Sequence, residues 1–247
     1  MTVVRYGTWY GEAAGPHERF AAAVHMAMMT HRPARVCEIG GGANPLLSLA
    51  TVEQAGVEEY LVTDISEAEL AKAPDGYTKV LADATRGPSA AIGRADLVFS
   101  QTVAEHVSDP GAFHRTVFQM LGPGGRAMHF FPTLYEPVFV ANKLLPEGLT
   151  ERLLHRIQPS RQRGGNNEKF PAFYRWCRGP TRGQLARLGS AGFEIEEYMG
   201  IFGHAYYRSV PILDRIDAAA ARFLAANPLP ALTAYAWVTL RRPRPPS

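Results

Sequence analysis

The feature that most constrains this chain is a triple glycine between a short β-type run and a helix-like run. Residues 35–39 form the β-type run, and Gly40-Gly41-Gly42 follow it directly. Asn44 is a favourable N-cap and Pro45 a favourable first helical residue, so a helix is predicted to begin at Pro45. Because glycine adopts backbone conformations that other residues avoid, such a bend lets the main chain approach a ligand closely at the edge of a parallel sheet.

Strand-like and helix-like segments alternate along the rest of the chain. The predicted strands lie at residues 35–39, 59–64, 78–83, 95–100, 126–131, 193–198 and 232–240, and the predicted helices at 17–31, 45–50, 109–121 and 181–188. Strands that alternate with helices at this spacing indicate βαβ units. The sequence therefore predicts an α/β fold with a mostly parallel sheet and helices on both faces.

Carboxylates stand at the ends of three successive predicted strands. These residues are Glu38, Asp64 and Asp83. Asp64 follows Gly40 by 24 residues, where a carboxylate can accept hydrogen bonds from both ribose hydroxyls of an adenosine-containing ligand. We therefore predict that the glycine bend and these acids bind such a ligand.

Two details disfavour a dinucleotide as that ligand. The dinucleotide fingerprint requires glycine where this chain has Pro45, and Glu38 would repel a pyrophosphate. S-adenosylmethionine has no phosphate and carries a sulfonium and an ammonium, which a nearby carboxylate stabilises. The pattern thus favours S-adenosylmethionine as the cofactor.

Five ordered segments resemble the successive motifs of class I S-adenosylmethionine-dependent methyltransferases. They are residues 36–42, 62–65, 81–84, 96–107 and 121–125. The resemblance implies a seven-stranded Rossmann-like methyltransferase sheet whose last strand is antiparallel. Pro45 departs from the usual pattern, which leaves the conformation of the bend open.

The resemblance also implies roles for individual residues. The glycine bend would pack on the methionine part of the cofactor, Asp64 would hold the ribose, and Asp83 would accept from the adenine amino group. Ile65 and Ala84 would flank adenine. The complete predicted cofactor set is Glu38, Gly40, Gly41, Gly42, Asp64, Ile65, Asp83, Ala84, Ser100 and Gln101, with the last two lining the methionine end.

Three histidines are candidates for a catalytic base. The sulfonium methyl is already electrophilic, so a base is needed only where the acceptor holds its proton at neutral pH. His204 is the first choice, ahead of His106 and His129. Loop ordering is the alternative for His106, and a buried, hydrogen-bonded side chain is the alternative for His129. No spacing indicates a metal, although Glu105 and His106 could join such a site.

The chain is predicted to form one domain over residues 1–247. Its predicted parts are an N-terminal helical arm at 1–34, a cofactor-binding core at 35–131, a helical lid at 134–180 and a disordered tail at 241–247. The lid is assigned because the segment is too long for a simple connection. Three aromatic residues in the arm (Tyr6, Trp9, Tyr10) form a mobile flap, pack against the protein or are disordered.

Basic residues are concentrated around the predicted lid. Residues 152–187 contain nine lysines and arginines and one acid. This asymmetry favours an acceptor that bears phosphate or carboxylate, with Arg175 and Arg178 as its ligands. A solvated basic face is the alternative. The other residues predicted to contact the acceptor are Thr133, Tyr135, Tyr206 and Tyr207.

The composition is that of an ordinary globular protein, with 46% apolar and 20% charged residues. We expect no membrane span and no signal peptide, because neither pattern is present. Cys37 and Cys177 form no metal or disulfide pattern, which favours a reducing cytoplasm.

Four functions remain open at this point. The leading one is methyl transfer to an oxygen or nitrogen of a small-molecule or glycan-type acceptor, in small-molecule biosynthesis. The basic segment with interleaved aromatics favours RNA or DNA methylation, but no RNA-binding module accompanies it. A non-catalytic S-adenosylmethionine-binding protein and an NAD oxidoreductase are the other two. A homodimer is compatible with each of them.

Overall fold

The computed structural model describes residues 2–134 and 171–245. Within these ranges the strands are β1 Val3–Thr8, β2 Arg35–Ile39, β3 Glu59–Asp64, β4 Thr78–Leu81, β5 Ala95–Gln101, β6 Leu121–Pro132, β7 Glu194–Phe202 and β8 Tyr235–Arg241. They form one sheet in the order β1-β7-β8-β6-β5-β2-β3-β4. β8 runs antiparallel to both of its neighbours, and the other neighbouring strands are parallel. The predicted α/β fold with an antiparallel last strand is confirmed.

Helices cover this sheet, and four of the six described helices begin at a side-chain cap. In the described ranges they are α1 Pro16–His31, α2 Leu49–Gln54, α3 Glu67–Lys72, α4 Pro110–Met120, α5 Arg182–Ser190 and α6 Pro211–Ala226. Ser66, Asp109 and Thr181 each accept a hydrogen bond from a main-chain amide in the first turn of α3, α4 and α5. None of these helices combines the length and the hydropathy needed to cross a bilayer.

The sheet has eight strands rather than the predicted seven, because the N-terminal arm begins as a strand. β1 pairs in parallel with β7, from Val3 opposite Glu197 to Thr8 opposite Phe202. The prediction of a helical arm over 1–34 is therefore wrong at residues 3–8. The candidate flap is packed: the Tyr6 and Phe202 rings stack with centroids 5.9 Å apart.

The helix predicted from Pro45 begins only at Leu49. The amide of Asn44 donates to the carbonyl of Gly41 at 2.9 Å, and the amide of Leu46 donates to the Glu38 carboxylate at 2.9 Å. These two bonds hold the intervening residues in a turn. Ser48 then takes the N-cap position that the sequence had assigned to Asn44.

The tail predicted to be disordered over 241–247 is ordered where it begins. Arg241 is the last residue of β8, and the amide of Arg242 donates to the carbonyl of Gly125 at 2.9 Å. Most of the predicted lid, residues 135–170 with Tyr135, lies outside the described residues. Its described end, residues 171–180, consists of turns and irregular backbone.

Candidate cofactor and acceptor site

A cleft of about 370 Å³ opens at the carboxyl edge of β2, β3, β4 and β5. Its volume lies within the range of roughly 300–1,000 Å³ that is typical of small-molecule sites. The residues that line it are Ile39, Gly40, Asp64, Ile65, Ala82, Asp83, Ala84, Thr85, Thr102, Val103, His106, Val107, Ser108 and Phe113. Five of the ten predicted cofactor residues are in this set.

The glycine bend reaches the cleft through Gly40, whereas Gly41 and Gly42 are not among the residues that line it. Gly40 has a φ of 75°, and its amide donates to the carbonyl of Thr63 at 2.7 Å. A Cβ at Gly40 would collide with a methyl group of Val103, and one at Gly42 would lie 2.8 Å from the Asp64 carboxylate. The missing side chains therefore leave space directly beside Asp64, as close ligand approach requires.

Asp64 and Ile65 lie at the end of β3. One carboxylate oxygen of Asp64 accepts from the amide of Ser66 at 2.9 Å. Burial raises the pKa of this carboxyl, against the lowering effect of main-chain hydrogen bonds. The Ile65 side chain is 60% exposed at the cleft, which offers an apolar surface to a planar ring.

Asp83 stands at the next strand end with its carboxylate already held. It accepts from the amide and the hydroxyl of Thr85 at 2.9 and 2.7 Å, and lies 3.1 Å from the guanidinium of Arg86. Burial alone would raise the pKa of Asp83, but the contacts with Thr85 and Arg86 outweigh it and lower the pKa. An ionised acceptor therefore lines the cleft beside Ala84.

Glu38 does not line the cleft. Its carboxylate accepts from the amide of Leu46 and, through a short bond, from the hydroxyl of Tyr60. Burial raises the pKa of Glu38 to about 7, against the lowering effect of the bonds from Tyr60 and Leu46. Glu38 therefore holds the bend, and its predicted direct contact with the cofactor stays a prediction.

Ser100 and Gln101 do not line the cleft either. Ser100 is completely buried, and its hydroxyl lies 2.8 Å from Nδ1 of His129. The chain reaches the cleft one residue after Gln101, at Thr102, which adopts a φ of 54°. The contact of this pair with the methionine end of the cofactor stays a prediction, which these positions do not support.

Two of the three candidate bases are buried away from the cleft. His129 is completely buried, and burial followed by the nearby His114 lowers its pKa well below the ordinary value. His204 is also completely buried, and its Nδ1 accepts from the amide of Tyr206 at 3.2 Å. Neither residue lines the cleft, and a catalytic role for either stays a prediction.

His106 lines the cleft with its imidazole. Its Nδ1 lies 3.0 Å from the carbonyl oxygen of Pro171, and its Nε2 lies 3.9 Å from a carboxylate oxygen of Glu105. Because a carbonyl can only accept, Nδ1 carries the proton. In the neutral imidazole Nε2 is then the basic nitrogen.

Glu105 is buried behind the cleft residue His106, an environment that the sequence did not reveal. Burial raises the pKa of its carboxyl to about 8. Its Oε2 is buried and has no hydrogen-bond partner within the described residues. Its carbonyl accepts from the amides of Phe173 and Tyr174 at 2.7 and 3.0 Å, which ties the segment after residue 170 to the cleft wall. The Glu-His pair after β5 was the available signal.

The two arginines predicted to bind the acceptor donate to main-chain carbonyls. Arg178 donates to the carbonyls of Tyr174 and Cys177 at 2.8 and 2.9 Å. Arg175 is exposed and donates to the carbonyl of Ser108, a cleft residue, at 2.7 Å. Arg175 is therefore beside the cleft, whereas Arg178 stabilises its own turn.

The described contacts of the remaining acceptor candidates are with the protein itself, and their contact with an acceptor stays a prediction. The Thr133 hydroxyl donates to the carbonyl of Thr233 through a short bond and is buried. The rings of Tyr206 and Tyr207 pack edge-on against His204, with centroids 5.2 and 4.7 Å away. None of the three lines the cleft. In the described ranges no three metal-ligating side chains come together.

This architecture defines a class of enzyme. The sheet is mostly parallel with one antiparallel strand, a glycine bend follows β2, and acids stand at the ends of the next two strands. These are the features of a Rossmann-like S-adenosylmethionine-dependent methyltransferase. The chain belongs to the methyltransferase domain family whose pattern matches residues 13–198. The predicted family, activity and cofactor are confirmed. Among curated proteins, none matches the chain.

Solved structures share the fold at low sequence identity. An S-adenosylmethionine-dependent methyltransferase from Mesorhizobium loti is 21% identical, with a TM-score of 0.53 over 90% of this chain and 98% of its own. The N-methyltransferase NodS from Bradyrhizobium japonicum WM9, solved with S-adenosyl-l-homocysteine, is 12% identical, with a TM-score of 0.50 over 94% of this chain and 90% of its own. The [4+2]-cyclase SpnF is 16% identical, with a TM-score of 0.54 over 98% of this chain and 88% of its own. The cyclase illustrates that this fold hosts more than one chemistry.

Proposed function

We propose that the protein transfers the methyl group of S-adenosylmethionine to an oxygen or nitrogen of a small-molecule or glycan-type acceptor. The observation that carries the proposal is the cleft itself, with the glycine bend and two acids on one side and His106 on the other. Its volume of about 370 Å³ suits a cofactor and a compact acceptor group. The buried free thiols of Cys37 and Cys177 support a reducing, cytoplasmic setting.

Within this proposal the cofactor is held by residues of three strand ends. Gly40 and Gly42 leave the space for it, Asp64 accepts from the ribose hydroxyls, and Asp83 accepts from the adenine amino group. The exposed Ile65 side chain covers the adenine ring. The cofactor, when bound, supplies an electrophilic methyl group on its sulfonium. The chain's own tasks are to orient the acceptor against that methyl and to exclude water.

His106 is the proposed base. Its Nδ1–H donates to the carbonyl of Pro171, so Nε2 can take a proton from an acceptor hydroxyl or amine. His106 would take the acceptor's proton at Nε2, and the bound cofactor would supply the methyl group, with its methyl–sulfur bond broken and the sulfur left as the neutral thioether of S-adenosylhomocysteine. An anionic acceptor would find Arg175 next to this wall of the cleft.

The test is a His106→Gln substitution. We expect turnover with a proton-bearing acceptor to fall by about 10²–10⁴-fold, the usual contribution of a positioned base. The affinity for S-adenosylhomocysteine should not change. The exposed His31, at the end of α1, gives the matched control His31→Gln. Full turnover in His106→Gln would remove His106 as the base.

Nucleic-acid methylation is the less favoured function. Within the described part of the basic segment, Arg175 and Arg178 already donate to main-chain carbonyls. A screen that follows S-adenosylhomocysteine release should favour small acceptors. Faster release with RNA, lost steeply at higher salt, would reverse this preference.

A further inference from the structure

Half of the large apolar side chains that are exposed in the described chain lie in one stretch. Seven of the fourteen fall between residues 210 and 232: Val210, Ile212, Leu213, Ile216, Phe223, Leu229 and Leu232. They belong to α6 and the short turns that flank it. Single exposed apolar residues are ordinary, whereas a contiguous cluster marks an interaction surface.

The spacing on α6 places the most exposed of them on one stripe. Ile212, Ile216 and Phe223 are four and seven residues apart, so they share a face of the helix. Their exposed fractions are 73%, 60% and 66%. The exposed Ala219 and Ala220 fill the positions between them. At 1.5 Å per residue the helix that carries the stripe is about 24 Å long.

The acids of α6 are turned towards the protein. Asp214 and Asp217 accept from the hydroxyl of Tyr10 at 3.1 and 2.7 Å, and Asp217 also accepts from the amide of His204 at 3.2 Å. Both acids are half-buried. The outward face of α6 therefore carries no exposed acid.

The charged side chains on the outward face of α6 are basic. Arg215 and Arg222 are exposed on the helix and lie seven residues apart, so they flank the apolar stripe on the same side. Arg208 is exposed in the turn before the helix. We call this combination of the apolar stripe and the three arginines the α6 face.

We propose that the α6 face docks on the interface of a lipid bilayer that carries anionic headgroups. An amphipathic helix with an apolar stripe and basic flanks lies in the plane of such an interface. Anionic headgroups attract the arginines, and the inward orientation of both acids removes the opposing repulsion. A second copy of the chain fits this face less well, because antiparallel pairing of α6 about a two-fold axis would bring the two arginine flanks together.

The charge contribution is tested by vesicle co-sedimentation of the full chain. Vesicles of phosphatidylcholine containing phosphatidylglycerol should bind the protein, and vesicles of phosphatidylcholine alone should bind it much less. Each arginine near an anionic surface contributes about fivefold to binding. Replacing Arg215 and Arg222 together by Gln should therefore lower the affinity for anionic vesicles by about 25-fold. The exposed pair Arg182→Gln and Arg187→Gln on α5 is the matched control and should bind like the wild type.

The apolar contribution is tested by Ile216→Glu. This variant should lose binding to anionic vesicles, whereas Met26→Glu, an exposed apolar position on α1, should retain it. Circular dichroism and calorimetry with S-adenosylhomocysteine establish that both variants are folded. Equal binding to both vesicle types, no binding, or full binding by Ile216→Glu would overturn the proposal. A wild-type dimer that Ile216→Glu dissociates in the ultracentrifuge would also overturn it, since a second copy would then cover the face.

Discussion

Asp64 is the residue at which the proposed cofactor contact can be tested by one substitution. Its carboxylate stands beside the space left by Gly42, at the end of β3. Asp64→Ala should weaken S-adenosylhomocysteine binding by about 1–3 kcal/mol, the cost of losing hydrogen bonds to a charged group. Isothermal calorimetry measures this directly.

The matched control for this substitution is Asp75→Ala. Asp75 is exposed beyond the end of α3 and does not line the cleft. Its replacement should leave the affinity as in the wild type. An Asp64→Ala variant that binds as tightly as Asp75→Ala would refute the ribose assignment.

Glu105 gives the protein a defined pH dependence of stability. Burial raises the pKa of its carboxyl to about 8, whereas in the unfolded chain a glutamate titrates near about 4.3. Between these values the folded state holds a proton that the unfolded chain releases. The free energy of unfolding should therefore fall as the pH rises from about 4.3 to about 8.

Glu105→Gln removes this titration, so its stability should fall less over the same pH interval. Urea unfolding at several pH values measures the difference. The exposed Glu53, on α2, supplies the control Glu53→Gln, which should follow the wild type. Parallel curves for all three proteins would show that the Glu105 carboxyl is ionised in the folded state.

The acids that line the cleft were predictable from sequence, whereas the burial of two of the three candidate histidines was not. Asp64 and Asp83 follow strands whose apolar runs are local, and the carboxyl ends of parallel strands necessarily meet at one edge. The burial of His129 and His204 depends on packing with residues distant in sequence, such as His114 and Tyr10. A histidine pattern carries no information about such contacts, so the choice of base required the structure.

At the scale of elements, the bend between β2 and α2 depends on the absence of a side chain at Gly40. Gly40→Ala would place a methyl group against Val103 in a left-handed backbone conformation. The conformation alone costs about 1–2 kcal/mol in a residue with a Cβ. We expect lower stability in urea unfolding and weaker cofactor binding in calorimetry.

Replacing Gly183 by alanine should have the opposite effect on stability to replacing Gly40. Gly183 lies in α5, its φ is not positive, and a Cβ there meets no atom within 4 Å. Gly183→Ala should stabilise the protein by about 0.4–1 kcal/mol, because alanine loses less backbone entropy on folding. If Gly40→Ala also proved neutral or stabilising, the bend would not have the conformation described.

The predicted boundaries of helices and strands are wrong where long-range contacts override the local preferences of the residues. β1 is an edge strand of six residues whose partner, β7, lies nearly 200 residues later, so no local pattern distinguishes it from an arm. The start of α2 moves from Pro45 to Leu49 because the Glu38 carboxylate takes the amide of Leu46. Both differences come from tertiary contacts that residue propensities do not encode.

At the scale of the whole molecule, the order of the strands brings the cofactor site together. β2 lies between β5 and β3, so the glycine bend, Asp64 and the loop after β5 meet at one edge of the sheet. The ordered motifs predicted this arrangement, because parallel βαβ connections leave few alternative topologies. The same topology leaves α6 on the outside of the sheet. The ordered motifs did not predict the exposed apolar stripe on this helix.

The central claim is that this cleft holds S-adenosylmethionine through the glycine bend and Asp64. A crystal structure of the protein with S-adenosylhomocysteine tests it most directly. We predict ribose hydroxyls at hydrogen-bonding distance from the Asp64 carboxylate, adenine against Ile65, and the methionine part against Gly40. A ligand bound elsewhere, or bound in the cleft with its ribose away from Asp64, would contradict the account.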